Sequence, residues 1–169
     1  NELSGGTFRF GTETIELKEF VAFDGSSFLS AEAVGQIDNQ NIHGLSTPNM
    51  VIVYHSDFKA AAEKLAVHRR SHSNFSVEAV SVGKIYNEFS AGSMDVTAIR
   101  DFMKYLYDNG NLQNLLLFGD ASFDFRNISK VSNPQSFVPS YETSQSLNPI
   151  TAFPMDDYYG LLDITEGTN

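Results

Sequence analysis

Met50-Val51-Ile52-Val53-Tyr54 is an unbroken run of five apolar residues, entered from Pro48-Asn49 and left through His55-Ser56-Asp57. A strand with one face in water alternates apolar and polar residues. A short run without alternation fits a strand covered on both faces, as in a parallel sheet. Helical spacing follows directly. Phe58, Ala61, Ala62, Leu65 and Ala66 recur at intervals of three and four, Ser56 or Asp57 stands where a cap is needed, and Arg69-Arg70 put positive charge at the far end. A helix from Asp57 to Ser71 is expected.

The same alternation of element types continues downstream. Phe75 to Ala79 reads with a period of two and Val80-Ser81-Val82 resumes it one residue out of phase, predicting a second strand that Lys84-Ile85-Tyr86 leaves. Ser93 and Asp95 offer caps to a second helix, in which Val96, Ile99, Phe102, Met103, Leu106 and Tyr107 line one face until Asn109-Gly110 ends it. Leu115-Leu116-Leu117-Phe118 is a third apolar run, leading into Gly119-Asp120. Strand, helix, strand, helix, strand predicts an α/β domain with a parallel sheet and right-handed crossovers.

Residues 1–48 read as a lead-in to this body, which occupies residues 49–169. Thr7 to Phe23 carries short apolar bursts broken by Gly11 and closed by Asp24-Gly25, the pattern of a β-hairpin or small meander. Ser26 to Pro48 shows no sustained period and is expected to be an irregular connector. Four of the five prolines (Pro134, Pro139, Pro149 and Pro154) fall beyond Arg126, so Asn127 to Pro154 is expected to be loop with at most short edge strands. Tyr158 to Leu162 is a candidate for one more strand. Asn74-Phe75-Ser76 and Asn127-Ile128-Ser129 match the glycosylation sequon, a pattern that Asn/Ser-rich chains produce by chance.

Composition narrows the function. With 169 residues and 41% hydrophobic positions, the chain can bury roughly 70% of its unfolded surface. Eleven Lys and Arg against 21 Asp and Glu give a formal charge of −10, so the cationic surface that nucleic acids require is missing. No apolar run approaches the roughly 20 residues of a membrane-spanning helix. Cysteine is absent, which excludes disulfides, thiolate metal sites and a thiol nucleophile from these residues. The chain begins at Asn1 without a basic and apolar leader, and reads as an excised or matured piece.

In open α/β sheets ligands gather at the carboxyl ends of the strands. That edge should carry His55, Ser56 and Asp57, then Asn87 to Ser93, then Asp120, Ser122 and Asp124. Asp120-x-Ser122-x-Asp124 has the opening spacing of an oxygen-ligand cation loop, but Phe125 and Val131 stand where such a loop needs Gly and Glu. These side chains read as caps for nearby N–H groups instead. His68 and His72 are spaced as a helical metal pair, yet Arg69 and Arg70 beside them oppose a cation. Neither a metal nor another cofactor is expected. Asp156-Asp157-Tyr158-Tyr159 sets carboxylates beside aromatic rings, as one polar wall of a cleft or as a capped strand edge.

Several separated strings, in order, resemble the gingipain family of cysteine peptidases: Ile85-Tyr86-Asn87-Glu88-Phe89-Ser90-Ala91-Gly92, then Ala98-Ile99-Arg100-Asp101-Phe102, then Leu115 through Asp124, then Asp156 through Asp163. Val34 to Gly44 resembles the lead-in to the same catalytic domain. The resemblance implies a three-layer, caspase-like α/β fold whose cysteine–histidine dyad cleaves a peptide bond. It is strongest to the sortase members of type IX secretion in Bacteroidetes. Those act at the outer surface of Gram-negative cells, on the C-terminal signals of secreted proteins and beside other secretion components.

The dyad of that family lies beyond its Asp-Asp-Tyr-Tyr-Gly segment, so no residue here takes a catalytic role. The piece is expected to be the amino-terminal part of the domain, inactive alone, with His55, Asp120, Ser122, Asp124, Asp156, Asp157 and Tyr158 lining one side of the cleft. A sheet cut after three strands would expose an edge open to dimerisation. The alternative is a non-catalytic α/β domain that binds a protein at the cell surface. A receiver-type regulatory domain fits less well, because the acidic pair and the lysine that it needs are not in place.

Overall fold

The computed structural model describes residues 2–4, 7–13, 15–22, 25, 26, 28–33, 35–122, 124, 125, 136–143 and 153–166. The chain divides into two compact units, 1–38 and 39–169. In the first, β1 (Glu2–Ser4) pairs antiparallel with β2 (Thr7–Arg9), Leu3 opposite Phe8. The hairpin expected over Thr7 to Phe23 therefore lies earlier, and among the described residues from 10 to 22 none is in a strand. Ile15, Leu17 and Val21 are 85, 96 and 91% exposed. Apolar alternation makes a strand only where a ladder partner and a covering face exist, and these side chains have no cover. Asp24, expected to close the hairpin, lies outside the described residues.

The second unit runs through β3 (Met50–Tyr54), α1 (Lys59–His72), β4 (Val77–Ser81), α2 (Val82–Phe89), α3 (Val96–Asn109) and β5 (Asn114–Phe118). Short 3-10 turns occupy Ser56–Phe58 and Asp156–Gly160. The sheet order is β4-β3-β5 with both pairings parallel, Ile52 standing between Ala79 and Leu116. β3 is thus the central strand, and Val51, Ile52 and Val53 are fully buried. Its alternate side chains serve opposite layers. Met50, Ile52 and Tyr54 pack with Ala62 and Ala66 of α1, whereas Val51 and Val53 join the larger core with Ile85, Ile99, Phe102 and Leu106 of α2 and α3. This is the expected three-layer arrangement.

α1 buries only Ala62 and Ala66, small residues that let the helix lie close to the sheet. Arg70 at its carboxyl end turns back to donate from Nε to the Val77 carbonyl at 2.9 Å, tying the helix to β4. The helix starts after the 3-10 turn rather than on a Ser56 or Asp57 cap; His55 Nδ1 accepts from the Asp57 N–H at 3.3 Å instead. α3 begins where expected, with Asp95 Oδ1 accepting from the Thr97 N–H at 2.8 Å.

Two elements differ from expectation. α2 begins without a break after β4, where the chain was expected simply to leave the strand, so Asn87 to Phe89 belong to a helix and not to an edge loop. Its buried positions Val82, Ile85 and Tyr86, with half-buried Phe89, have the i, i+3, i+4, i+7 spacing of an amphipathic helix. Tyr158 to Leu162 is not a strand. Tyr158 and Tyr159 are adjacent and both buried, which a strand with alternating side chains does not permit against one core. The 3-10 turn from Asp156 allows it. In the proline-bearing region an isolated antiparallel bridge joins Glu142 to Pro154. The Asn127 sequon, Pro134 and Pro149 lie outside the described residues; Asn74 of the other sequon is exposed, with φ at 55°.

Candidate functional site

The register places Tyr54 beside Phe118, so the chain leaves β3 at His55 and β5 at Gly119 on the same edge of the sheet. Residues 136–140 cross over this edge. The N–H groups of Phe137 and Val138 donate to the Asp120 carbonyl at 2.9 and 3.4 Å. Gly119 makes the crossing possible: a Cβ there would stand 2.8 Å from Phe137 Cβ and 3.1 Å from Val138 Cγ2.

Between these segments is a cavity of about 360 Å³. Asp120, Ser122, Ser140, Glu142 and Asp156 supply its polar wall, and Leu117, Val138 and Pro139 much of the apolar one. Asp120, Ser122 and Asp156, singled out from the sequence, are brought together here across 36 residues of chain. Asp157 instead lines a neighbouring cavity of about 400 Å³ along β5, with Leu115 to Leu117 and Gly160. Asp124 lies half-buried in the turn after Ser122. His55 stands on the far side of the crossing, edge-on to the Phe137 ring at 5.2 Å and 3.6 Å from Asp57 Oδ2.

Tyr158 faces the core, where it is 7% exposed. Its ring stacks on Tyr141 at 4.1 Å and 6°, its hydroxyl is 3.2 Å from Thr97 Oγ1, and the Arg100 guanidinium lies 5.4 Å above it. Arg100 also donates from Nε and Nη2 to the Leu161 carbonyl at 3.0 and 2.6 Å. These contacts dock the 3-10 turn on α3. From that docked turn Asp156 accepts the Ser140 hydroxyl at 3.1 Å, and Tyr159 donates to the Pro139 carbonyl. Burial, and then the charge of Asp156, pushes the Tyr159 hydroxyl up, so it remains a donor. Burial also raises the Glu142 carboxyl.

Sequence reasoning passed over Ser140 and Glu142, which lie in a proline-rich stretch without periodicity and reach the cavity only through long-range packing. Glu88 falls within the segment Asn87 to Ser93 expected at the sheet edge, but it lies on α2 and its partners come from upstream. That carboxylate accepts from the N–H groups of Ile42 and His43 at 2.8 and 3.3 Å, from Gln40 Nε2 at 2.9 Å and from His43 Nδ1 at 2.6 Å. His43 is thereby held against α2, its ring stacked on Phe89 at 4.5 Å. His68 and His72 stack on each other at 4.2 Å on the exposed end of α1. Among the described residues no three His, Asp or Glu side chains converge on one point as a metal site. The arrangement is an acidic, hydrogen-bonding recess at a sheet's carboxyl edge, in a chain that contains no thiol.

The sequence model of peptidase family C25 matches residues 43–168. Among solved structures, dimeric latent PorU from Porphyromonas gingivalis is similar over 77% of this chain, with 33% sequence identity and a TM-score of 0.67. This chain spans 13% of that PorU chain. The curated proteins returned no match. The family match takes in the whole three-stranded sheet, all three helices and the recess at their edge, and the chain belongs to peptidase family C25, the gingipain family.

Proposed function

We propose that this chain forms the amino-terminal part of the catalytic domain of a cysteine peptidase that works as a type IX secretion sortase, removing C-terminal signals from secreted proteins at the cell surface. The observation that carries the reading is the recess of Asp120, Ser122 and Asp156, which lies at the carboxyl edge of the sheet and inside the family match. With no cysteine in the chain, the thiolate comes from polypeptide outside these residues, the family resemblance implies that its histidine partner does too, and the chain alone is inactive. The substrate is the C-terminal segment of a secreted protein, and other secretion components are its neighbours.

The test is cleavage of a reporter that ends in a C-terminal signal, by the parent polypeptide and by this chain separately. Cleavage by the parent, its loss when the parent's nucleophilic cysteine becomes alanine, and no cleavage by the chain alone are expected. A parent that holds no cysteine or that binds the signal without cutting it would replace this reading with the non-catalytic protein-binding one. The outer edge of β5 adds a second expectation. Asn114 to Phe118 carries no charge and no proline to discourage pairing, so copies of the isolated chain should associate along it. Light scattering that finds only monomer at high concentration would contradict this.

A further inference from the structure

Three half-buried phenylalanines meet at the same sheet edge, on the other side of Gly119 and Asp120 from the recess. Phe58 ends the 3-10 turn after β3, Phe118 ends β5, and Phe137 comes from the crossing segment. Phe58 lies 4.7 Å from Phe137 and 6.2 Å from Phe118 between ring centroids, the latter pair edge to face. His55 closes the cluster, edge-on to both Phe137 and Phe58. The three phenylalanines, with Gly119 and Asp120, shape a shallow cup of about 230 Å³ whose one charged lining residue is Asp120.

The cup and the recess share Gly119 and Asp120, so they are two parts of one surface. One part is acidic and hydrogen-bonding, and the other is aromatic. A family C25 domain acts on polypeptide, and a strand-edge groove receives polypeptide extended, with successive side chains directed to opposite sides. The chain's charge of −10 and the carboxylate at the rim repel an acidic side chain, while three phenylalanine rings reward an apolar one. We infer that the cup of Phe58, Phe118 and Phe137 receives an uncharged apolar side chain of the polypeptide on which this domain acts. The inference rests on the peptidase reading for the nature of the occupant, and it makes these phenylalanines specificity-determining residues.

The protein contains no tryptophan, so emission from a tryptophan in an added peptide reports binding without interference. The probe is a blocked, extended octapeptide of Gly, Ala and Ser with one central Trp, titrated against the 169-residue protein. A saturable blue shift is expected. Phe137→Ala and Phe58→Ala should each weaken it about fivefold or more, and Phe137→Leu should retain it within about twofold. The same peptide with Leu in place of Trp should compete, and the Glu version should not. Urea unfolding midpoints identify any variant that fails for lack of folding, and Phe58→Ala and Phe137→Leu then decide.

Absence of a saturable shift, folded alanine variants that bind like the wild type, or equal competition by the Glu peptide would overturn the inference. Cleavage by the parent protein is read separately. Parent cleavage without binding in the cup defeats this inference alone, and cup binding without parent cleavage supports the cup while defeating the sortase reading.

Discussion

Arg100 and Leu161 are 61 residues apart, and the Arg100 guanidinium grips the Leu161 carbonyl with two N–H groups, from Nε and Nη2. The same guanidinium covers the Tyr158 ring, so one side chain holds the middle and the carboxyl end of the turn that carries Asp156. Arg100→Ala should lower stability by about 2 kcal/mol, from the lost charge-assisted bonds and ring contact. Arg100→Lys should recover less than half of this, since an ammonium lacks the planar fork. Urea titration of the three proteins checks both values.

Glu88 ties the start of the second unit to α2 through its four accepted hydrogen bonds. Partial desolvation raises its pKa, but the bonds from Ile42, Gln40 and His43 outweigh that and hold it below the ordinary 4.5. A carboxylate with a depressed folded pKa adds stability that is complete above the unfolded pKa and disappears as pH falls through the folded one. The wild type should therefore lose stability from about pH 5 downward, and Glu88→Gln should lack this component while costing about 1–2 kcal/mol at pH 7. Unfolding free energies measured at intervals between pH 7 and 3 test the slope.

Gly119 lets the crossing segment lie against the end of β5. In Gly119→Ala the new methyl meets Phe137 Cβ and Val138 Cγ2 inside contact distance, and backbone must move to relieve it. A cost of about 1–3 kcal/mol is expected. Because Phe137 moves, peptide binding in the aromatic cup should weaken together with thermal stability, which calorimetry and the tryptophan titration measure side by side.

Asp95 caps α3 through the Thr97 N–H, and its charge also faces the buried Tyr86 hydroxyl, whose pKa is raised by burial first and by Asp95 second. Asp95→Ala should destabilise by about 1 kcal/mol through the open helix end, and Asp95→Asn or Asp95→Ser should restore most of it. Thermal unfolding of the three variants checks the order.

Much of the fold was legible because its elements carry strong local signals. Val51, Ile52 and Val53 could hardly be other than a covered strand, and the apolar stripe from Val96 to Leu106 has a cap before it and Gly110 after it. The helix of Val82 to Phe89 was missed because it is short and starts straight out of β4, leaving no break to separate a period of two from one of 3.6. Its spacing at 82, 85, 86 and 89 was nonetheless present. The recess was legible only in part. Asp120 and Asp156 stand out by residue type and position, but Ser140, Glu142 and Phe137 enter the site through a stretch with no periodicity at all.

Residue order alone determined the succession of β3, α1, β4, α3 and β5, the parallel sense of the sheet and the family strings, since helical and strand periods and uninterrupted aliphatic runs are local properties of a chain. Tertiary structure decided which carboxylates share a recess, that Tyr158 turns inward to the core, and that Phe58, Phe118 and Phe137 form one surface. Those outcomes depend on contacts between residues from 16 to 79 positions apart, such as Ser140 with Asp156 and Phe58 with Phe137, and no local pattern encodes which distant segments close on one another.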